Sequence, residues 1–320
     1  MLDYKVYTKR LFLMFAILLM VTASYVYYFS KYYPLPVTSR ISFDAKIKFI
    51  REHIDTKMID TIVVGSSIGL NDVQGPYLEK ASSEVAHVLN LSVYEASPVQ
   101  VEQLLALVDA FPHLKRVIYS VQFSDFQHTT HFQNYHPKVL KKYMAHSLNP
   151  MQTFKVVFDA SKDLPFLIHR QKEWAHKHGR NNDFSYLGFD HTGSVPLHIY
   201  GKDIIQSRWK NPHGSRHLPE AFNALDRMSK KMQEEGIYFY FVQQPYRQAL
   251  IKKYPHVPAE LNWFLDKATK IVQKNGGFVF SLYKELPLDD RYFADRSHLN
   301  DKGSILAAEA IGKFIDTHEK

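Results

Sequence analysis

Serine, histidine and aspartate, the residue types that perform acyl transfer, stand in this sequence where a fold could bring them together. An apolar run at 61–64 (Thr-Ile-Val-Val) leads straight into Gly65-Ser66-Ser67, and far downstream comes Phe293-x-Asp295-x-x-His298-Leu299-Asn300-x-x-Gly303. A serine hydroxyl is a poor nucleophile until a base within hydrogen-bond reach takes its proton, and the base works best when a third group fixes its tautomer. Asp295 and His298 are three residues apart, so one turn ahead of a helix presents both side chains to the same cleft. Gly-Ser-Ser alone occurs in many turns, and Asp-x-x-His alone is a common helix start. Their conjunction, one at the end of an expected strand and one at the start of an expected helix, is what points to chemistry. Chain order excludes nothing, because these roles occur in several orders on unrelated folds.

Over roughly 55–125 and 235–318, in short motifs only, the chain resembles the SGNH (GDSL-like) superfamily of serine hydrolases and acyltransferases. It looks like the membrane-anchored branch, which includes DltD-like proteins of teichoic-acid D-alanylation and acetyltransferases of exported polysaccharides. In that branch Gly-Asp-Ser is often Gly-Ser-Ser, and the later block reads Asp-x-x-His-Leu-Asn, as here. The resemblance implies Ser67 as nucleophile, His298 as its base and Asp295 as the group that orients the histidine.

Acyl transfer also needs donors aimed at the developing oxyanion, and losing one costs on the order of 100- to 1000-fold in rate. The backbone N–H of Ser67 or Ile68 is the first candidate. In the family a glycine near the second strand supplies another. The corresponding stretch here is Asn90-Leu91-Ser92-Val93-Tyr94-Glu95-Ala96-Ser97, so Ser92 or Glu95 stands in the glycine's place. A backbone amide survives that change, but a tight turn loses its easiest residue. The family's Asn after the third strand is also missing, from Val121-Gln122-Phe123-Ser124-Asp125-Phe126. That departure weakens the expectation of free hydrolysis more than that of acyl transfer. Asp125 is either a polar contact at this edge or the cap of the next helix. Arg247, after the fourth expected strand, either binds an anionic substrate group or makes a structural ion pair.

The elements that must position these residues read as strands alternating with helices. After 61–64, further apolar runs at 85–91, 116–121, 237–242 and 277–281 are short and unalternating, which suits parallel strands covered on both faces. Amphipathic stretches lie at 41–54, 99–110, 218–235, 258–275 and 302–318. The expected fold class is α/β: a doubly wound, flavodoxin-like parallel sheet of about five strands, with ligands gathering at the carboxyl ends of the strands. Residues 127–215 break the rhythm, hold many of the histidines and read as a mostly helical cap inserted into an α/β domain of 55–126 and 216–320.

Residues 11–29 carry no charge and are about long enough to span a bilayer. Lys5, Lys9 and Arg10 precede them, and Tyr25, Tyr27, Tyr28, Tyr32 and Tyr33 form an aromatic belt beyond. This predicts a cytoplasmic N-terminus (1–10), an uncleaved anchor (11–29), a stalk with a lead-in helix (30–54) and an extracytoplasmic body. The weak cleavage site at Ala23-Ser24-Tyr25 argues against a removed signal peptide.

With 320 residues, 45% of them apolar and 14% aromatic, the chain can build a sizeable core. The net charge of +8 comes from scattered Lys and Arg with no basic run, so nucleic acid is not an expected partner. It suits an anionic membrane surface or glycan instead. Cysteine is absent, so there is neither a disulfide framework nor a thiolate metal site. His128-x-x-His131 and His176-x-His178 lack clustered carboxylates, and no metal is expected. Gly65-x-x-x-Gly69 lacks the rest of a dinucleotide fingerprint, and no cofactor is expected. The resulting expectation is a membrane-anchored serine acyltransferase or esterase. Its acceptor would be an envelope glycan or related polymer, with a membrane acyl donor protein as a further partner. The alternative is a non-catalytic assembly or docking partner that keeps the same fold.

Overall fold

The computed structural model describes residues 4–38, 40–133, 135–178, 188–204 and 218–319. Parts of the inserted segment (179–187 and 205–217) and the side chains of His176 and His178 lie outside the described residues, as do residues 1–3 of the N-terminal segment.

Apolar runs with no polar face are satisfied only between two layers of helices. Five of them pair as one all-parallel sheet: β1 (Thr61–Gly65), β2 (Val88–Asn90), β3 (Arg116–Val121), β4 (Tyr238–Gln243) and β5 (Phe278–Ser281), in the order β2-β1-β3-β4-β5. Successive side chains alternate between two cores. Val64, Tyr119 and Phe241 enter one, and Val63, Ile118 and Tyr240 enter the other.

In chain order the helices are α1 (Tyr4–Tyr32), α2 (Ile41–His53), α3 (Ser67–Asp72), α4 (Gly75–Ala81), α5 (Pro98–Leu104) and α6 (Pro137–Met144). There follow α7 (Pro150–Ser161), α8 (Leu164–His178), α9 (Pro219–Glu234), α10 (Gln248–Lys253), α11 (Val257–Lys274), α12 (Leu282–Glu285) and α13 (Asp301–His318). Apolar stripes of α2, α5, α9 and α11 close the first core; α4, α12 and α13 close the second.

Two elements differ from their sequence reading. The strand expected over 85–91 narrows to β2, because the Asp60 carboxylate accepts the Ala86 amide at 2.9 Å and satisfies this backbone before the ladder begins. The helix expected over 99–110 is α5 followed by a 3-10 turn, Leu105–Ala110. Pro112 holds Phe111 extended (φ −120, ψ 86) and ends it.

The segment Tyr4–Tyr28 of α1 is long and apolar enough to cross a membrane, with mean hydropathy 2.0, and none of it is buried in the protein. Of the inserted segment, α6 packs on α2, and α7 packs on α1 and α8. The stretch 188–204 runs back beside β2 and α13, where the Asn90 amide donates to the Thr192 carbonyl at 2.8 Å and the Asp301 amide to that of Leu197 at 2.9 Å.

Candidate active site

β1 ends at Gly65 against its neighbour β3 so closely that a Cβ there would stand 2.3 Å from the Ser120 carbonyl oxygen, and only glycine passes. The chain then turns. Ser66 caps α3, its Oγ accepting the Ile68 amide at 3.1 Å, and Ser67 becomes the first residue of that helix at the carboxyl end of β1. The Ser67 amide is thereby one of the helix's unbonded N-terminal donors.

The second half of the site is a tight loop ahead of α13. An antiparallel bridge joins Phe293 to Leu299, the Ala294 amide donates to the His298 carbonyl at 2.9 Å, and Asn300 caps α13 by accepting the Gly303 amide at 3.1 Å. Inside this loop Asp295 is 1% exposed. Its Oδ1 accepts the amides of Ser297 and His298, each at 2.9 Å, and both carboxylate oxygens lie 3.0 Å from His298 Nδ1. Across the cleft, His298 Nε2 lies 2.7 Å from Ser67 Oγ. A carboxylate only accepts, so Nδ1 carries the ring proton and Nε2 is left as the acceptor for the serine hydroxyl. Burial alone would raise the Asp295 carboxyl, but the hydrogen bonds and charge of His298 outweigh it and hold the group well below the usual carboxylate range.

Two buried side chains that sequence reasoning missed brace this arrangement. Asp72, the last residue of α3, accepts the Leu299 amide at 2.9 Å and so ties the serine's helix to the histidine's loop. Burial first, and then the neighbouring Asp295 and Asp125, push its carboxyl well above the usual range against the pull of the Leu299 amide. The only local sign of it was an acid at the carboxyl end of a helix, where the dipole disfavours one. Gln122, directly after β3, donates from Nε2 to the carbonyls of Ser297 (3.0 Å) and Pro245 (2.9 Å), gripping the loop from its other side.

The remaining expected residues fall into place around this core. Asp125 is buried beside the site, accepts the Gln122 amide at 2.9 Å and is hydrogen-bonded by Ser66; burial pushes its carboxyl up to about 6 against these bonds. It thus completes the cap at Gln122 of the following turn and stands beside Ser66 and His298. Glu95 adopts φ 56, the left-handed conformation for which glycine is the easy choice, and its side chain points to solvent. Ser92 turns inward: its amide donates to Asn90 Oδ1 at 3.0 Å, and its Oγ would stand 2.5 Å from a Cβ on Gly69. The Ile68 amide serves the Ser66 cap rather than the cleft. Arg247 is fully buried and paired with Asp290, which is the structural ion pair rather than a group offered to a substrate anion. Among the described residues no three His, Asp or Glu side chains converge as metal ligands.

Ser67, His298 and Asp295 thus form one hydrogen-bonded chain, with His298 reaching the surface (15% exposed) and Asp295 shielded behind it. Compared with models of known protein families and with curated protein sequences, the chain matches none.

Proposed function

We propose that this protein is a membrane-anchored serine acyltransferase or esterase of the SGNH type, acting outside the cytoplasmic membrane on an envelope glycan or related polymer. The observation that carries this reading is the 2.7 Å contact from His298 Nε2 to Ser67 Oγ, with Asp295 bound to the far side of the same ring. The strand order β2-β1-β3-β4-β5 supports it as well: in the flavodoxin-like arrangement ligands bind at the carboxyl ends of the strands, and Ser67 stands at that end of β1. The membrane placement rests on α1 and its basic flank.

In this mechanism Ser67 Oγ attacks the acyl carbonyl of a donor ester while its proton passes to His298 Nε2, and the tetrahedral oxyanion faces the Ser67 amide. Collapse breaks the bond to the leaving alcohol, which takes the proton from His298, and an acyl ester remains on Ser67. An acceptor hydroxyl then gives its proton to His298 and attacks that ester. The second collapse moves the acyl group to the acceptor and returns the proton to Ser67. Asp295 keeps the imidazole in the required tautomer and stabilises the imidazolium in both halves.

One observation favours a second reading, that of a non-catalytic docking partner in envelope modification. The amides of Ile68 and Ser92, two candidate oxyanion donors, are both engaged by side chains of the protein itself. Turnover of a small acetyl ester by equally folded Ser67→Ala, His298→Ala and the double variant separates the two. The acyltransferase reading expects nearly equal losses that do not add, as for residues acting as a unit. Parent activity no greater than that of Ser67→Ala favours the docking partner.

A further inference from the structure

The helical hairpin formed by α7 and α8 buries one face and leaves the other bare. Val157, Leu167 and Arg170 point inward, the last paired with the buried Asp44 of α2. On the outer face stand Met151, Phe158, Leu164 and Ile168, each between 43% and 74% exposed, and Phe154 stacks on Phe158 at 5.8 Å. Among the described residues these four are half of the eight large apolar side chains that project from the protein outside α1. Their spacing, 151, 154 and 158 along α7 and 164 and 168 along α8, draws one apolar stripe along each helix.

The hairpin is also fixed in height relative to α1. Exposure drops at Ala16, Thr22 and Val26 of α1 and at Tyr33 just beyond it; Val26 and Tyr33 pack on the core cluster that includes Val157 of α7, as do Val156 and Ala160, and α7 itself contacts α1. Val26 is three residues, or about 4.5 Å of helix rise, from the end of the uncharged run at residue 29. A run of that length just matches a hydrocarbon core of about 30 Å, so α7 meets α1 at the edge of that core. Charge agrees with such a place: residues 137–178 hold eight Lys and Arg against three Asp and Glu.

We propose that α7 and α8 lie in the membrane interface, with Met151, Phe158, Leu164 and Ile168 seated in the leaflet nearest the folded body. Helices of this kind bury a shallow apolar face among the headgroups while basic residues meet anionic lipid. The consequence is that the body does not swing on a free stalk. It is held against the bilayer at two places, and the Ser67 cleft keeps a set height above the lipid. This inference rests on α1 crossing the membrane, not on Ser67 being catalytic.

The chain has no cysteine, so single cysteines report without background. The full chain is reconstituted in nanodiscs of mixed zwitterionic and anionic lipid, with an environment-sensitive fluorophore placed in turn at Met151→Cys, Phe158→Cys, Ile168→Cys, Met58→Cys and Leu18→Cys. The proposal expects the three hairpin labels to emit to the blue of the Met58 label. They should also be quenched several-fold more by lipid-borne spin label, and less by aqueous iodide. Hairpin labels quenched by iodide as strongly as the one at Met58 overturn it, and a face kept for a protein partner gives that same result. If the Leu18 label is water-exposed as well, the anchoring of α1 fails and the hairpin proposal falls with it.

Discussion

Asp295→Asn removes a charge while leaving the shape of the loop almost unchanged. The amide oxygen of Asn still accepts the Ser297 and His298 backbone amides, now 2.9 Å away. Its NH2, however, takes the place of the second oxygen, 3.0 Å from Nδ1. Nδ1 then faces one amide oxygen and one NH2 instead of two oxygens, and repulsion from the NH2 favours the tautomer with the proton on Nε2 and Nδ1 as acceptor. His298 then presents a proton to Ser67 Oγ where it must receive one. For the matching change in a serine protease this wrong tautomer is worth about 10⁴-fold in kcat, or about 5.4 kcal/mol of barrier. The fold loses about 1–2 kcal/mol, the scale of one charge-assisted hydrogen bond. The sign of the pH effect follows from the depressed Asp295 carboxyl. Its contribution to stability is present above the unfolded-state value near 3.9 and is lost as pH falls through the folded value. Parent and Asp295→Asn should therefore differ in unfolding free energy at neutral pH and converge in strong acid. The assay is the rate of acetyl-ester turnover per folded molecule, beside chemical denaturation of the same samples. Activity within about tenfold of the parent, with stability reduced, would show that Asp295 only caps its loop and would refute the tautomer argument.

Asp72→Ala should cost about 1–3 kcal/mol by stranding the buried Leu299 amide, whereas Asp72→Asn keeps an acceptor in place; equal melting temperatures for the two would contradict the bond. Gly65→Ala pushes a methyl to 2.3 Å from the Ser120 carbonyl, and denaturant titration should find it about 1–3 kcal/mol less stable, with a displaced Ser67 and lower turnover. Asp125, raised to about 6 by burial, adds stability that is complete below about pH 4 and lost as pH rises through 6. Asp125→Asn should therefore flatten the decline of unfolding free energy between those values. An unchanged slope would show that the carboxyl does not titrate there.

The sheet was legible because a parallel strand writes itself as a local apolar run: 61–64 and 116–121 correspond to β1 and β3 to within a residue. Helix ends were nearly as legible where a cap was local, as with Asn300 before α13. What could not be read depends on contacts between distant residues. The Asp72 bond to Leu299 joins positions 227 apart, and the grip of Gln122 on Ser297 joins positions 175 apart. The burial of Arg247 likewise depends on Asp290, which lies on a separate loop. Ser92 and Glu95 were singled out for replacing a glycine, yet the backbone torsion at 95 and the inward turn of 92 are set by packing, of which their types gave no sign. The exposed stripe of α7 and α8 was visible only as helical periodicity, which does not tell an inward face from an outward one.

The most direct test of Ser67 as an activated nucleophile is covalent labelling of the intact, membrane-reconstituted chain with a fluorophosphonate, followed by mass mapping of the modified peptide. The proposed function predicts one adduct on Ser67, formed far more slowly in His298→Ala and absent in Ser67→Ala. An adduct on Ser66, or labelling of parent and His298→Ala at the same rate, would contradict it.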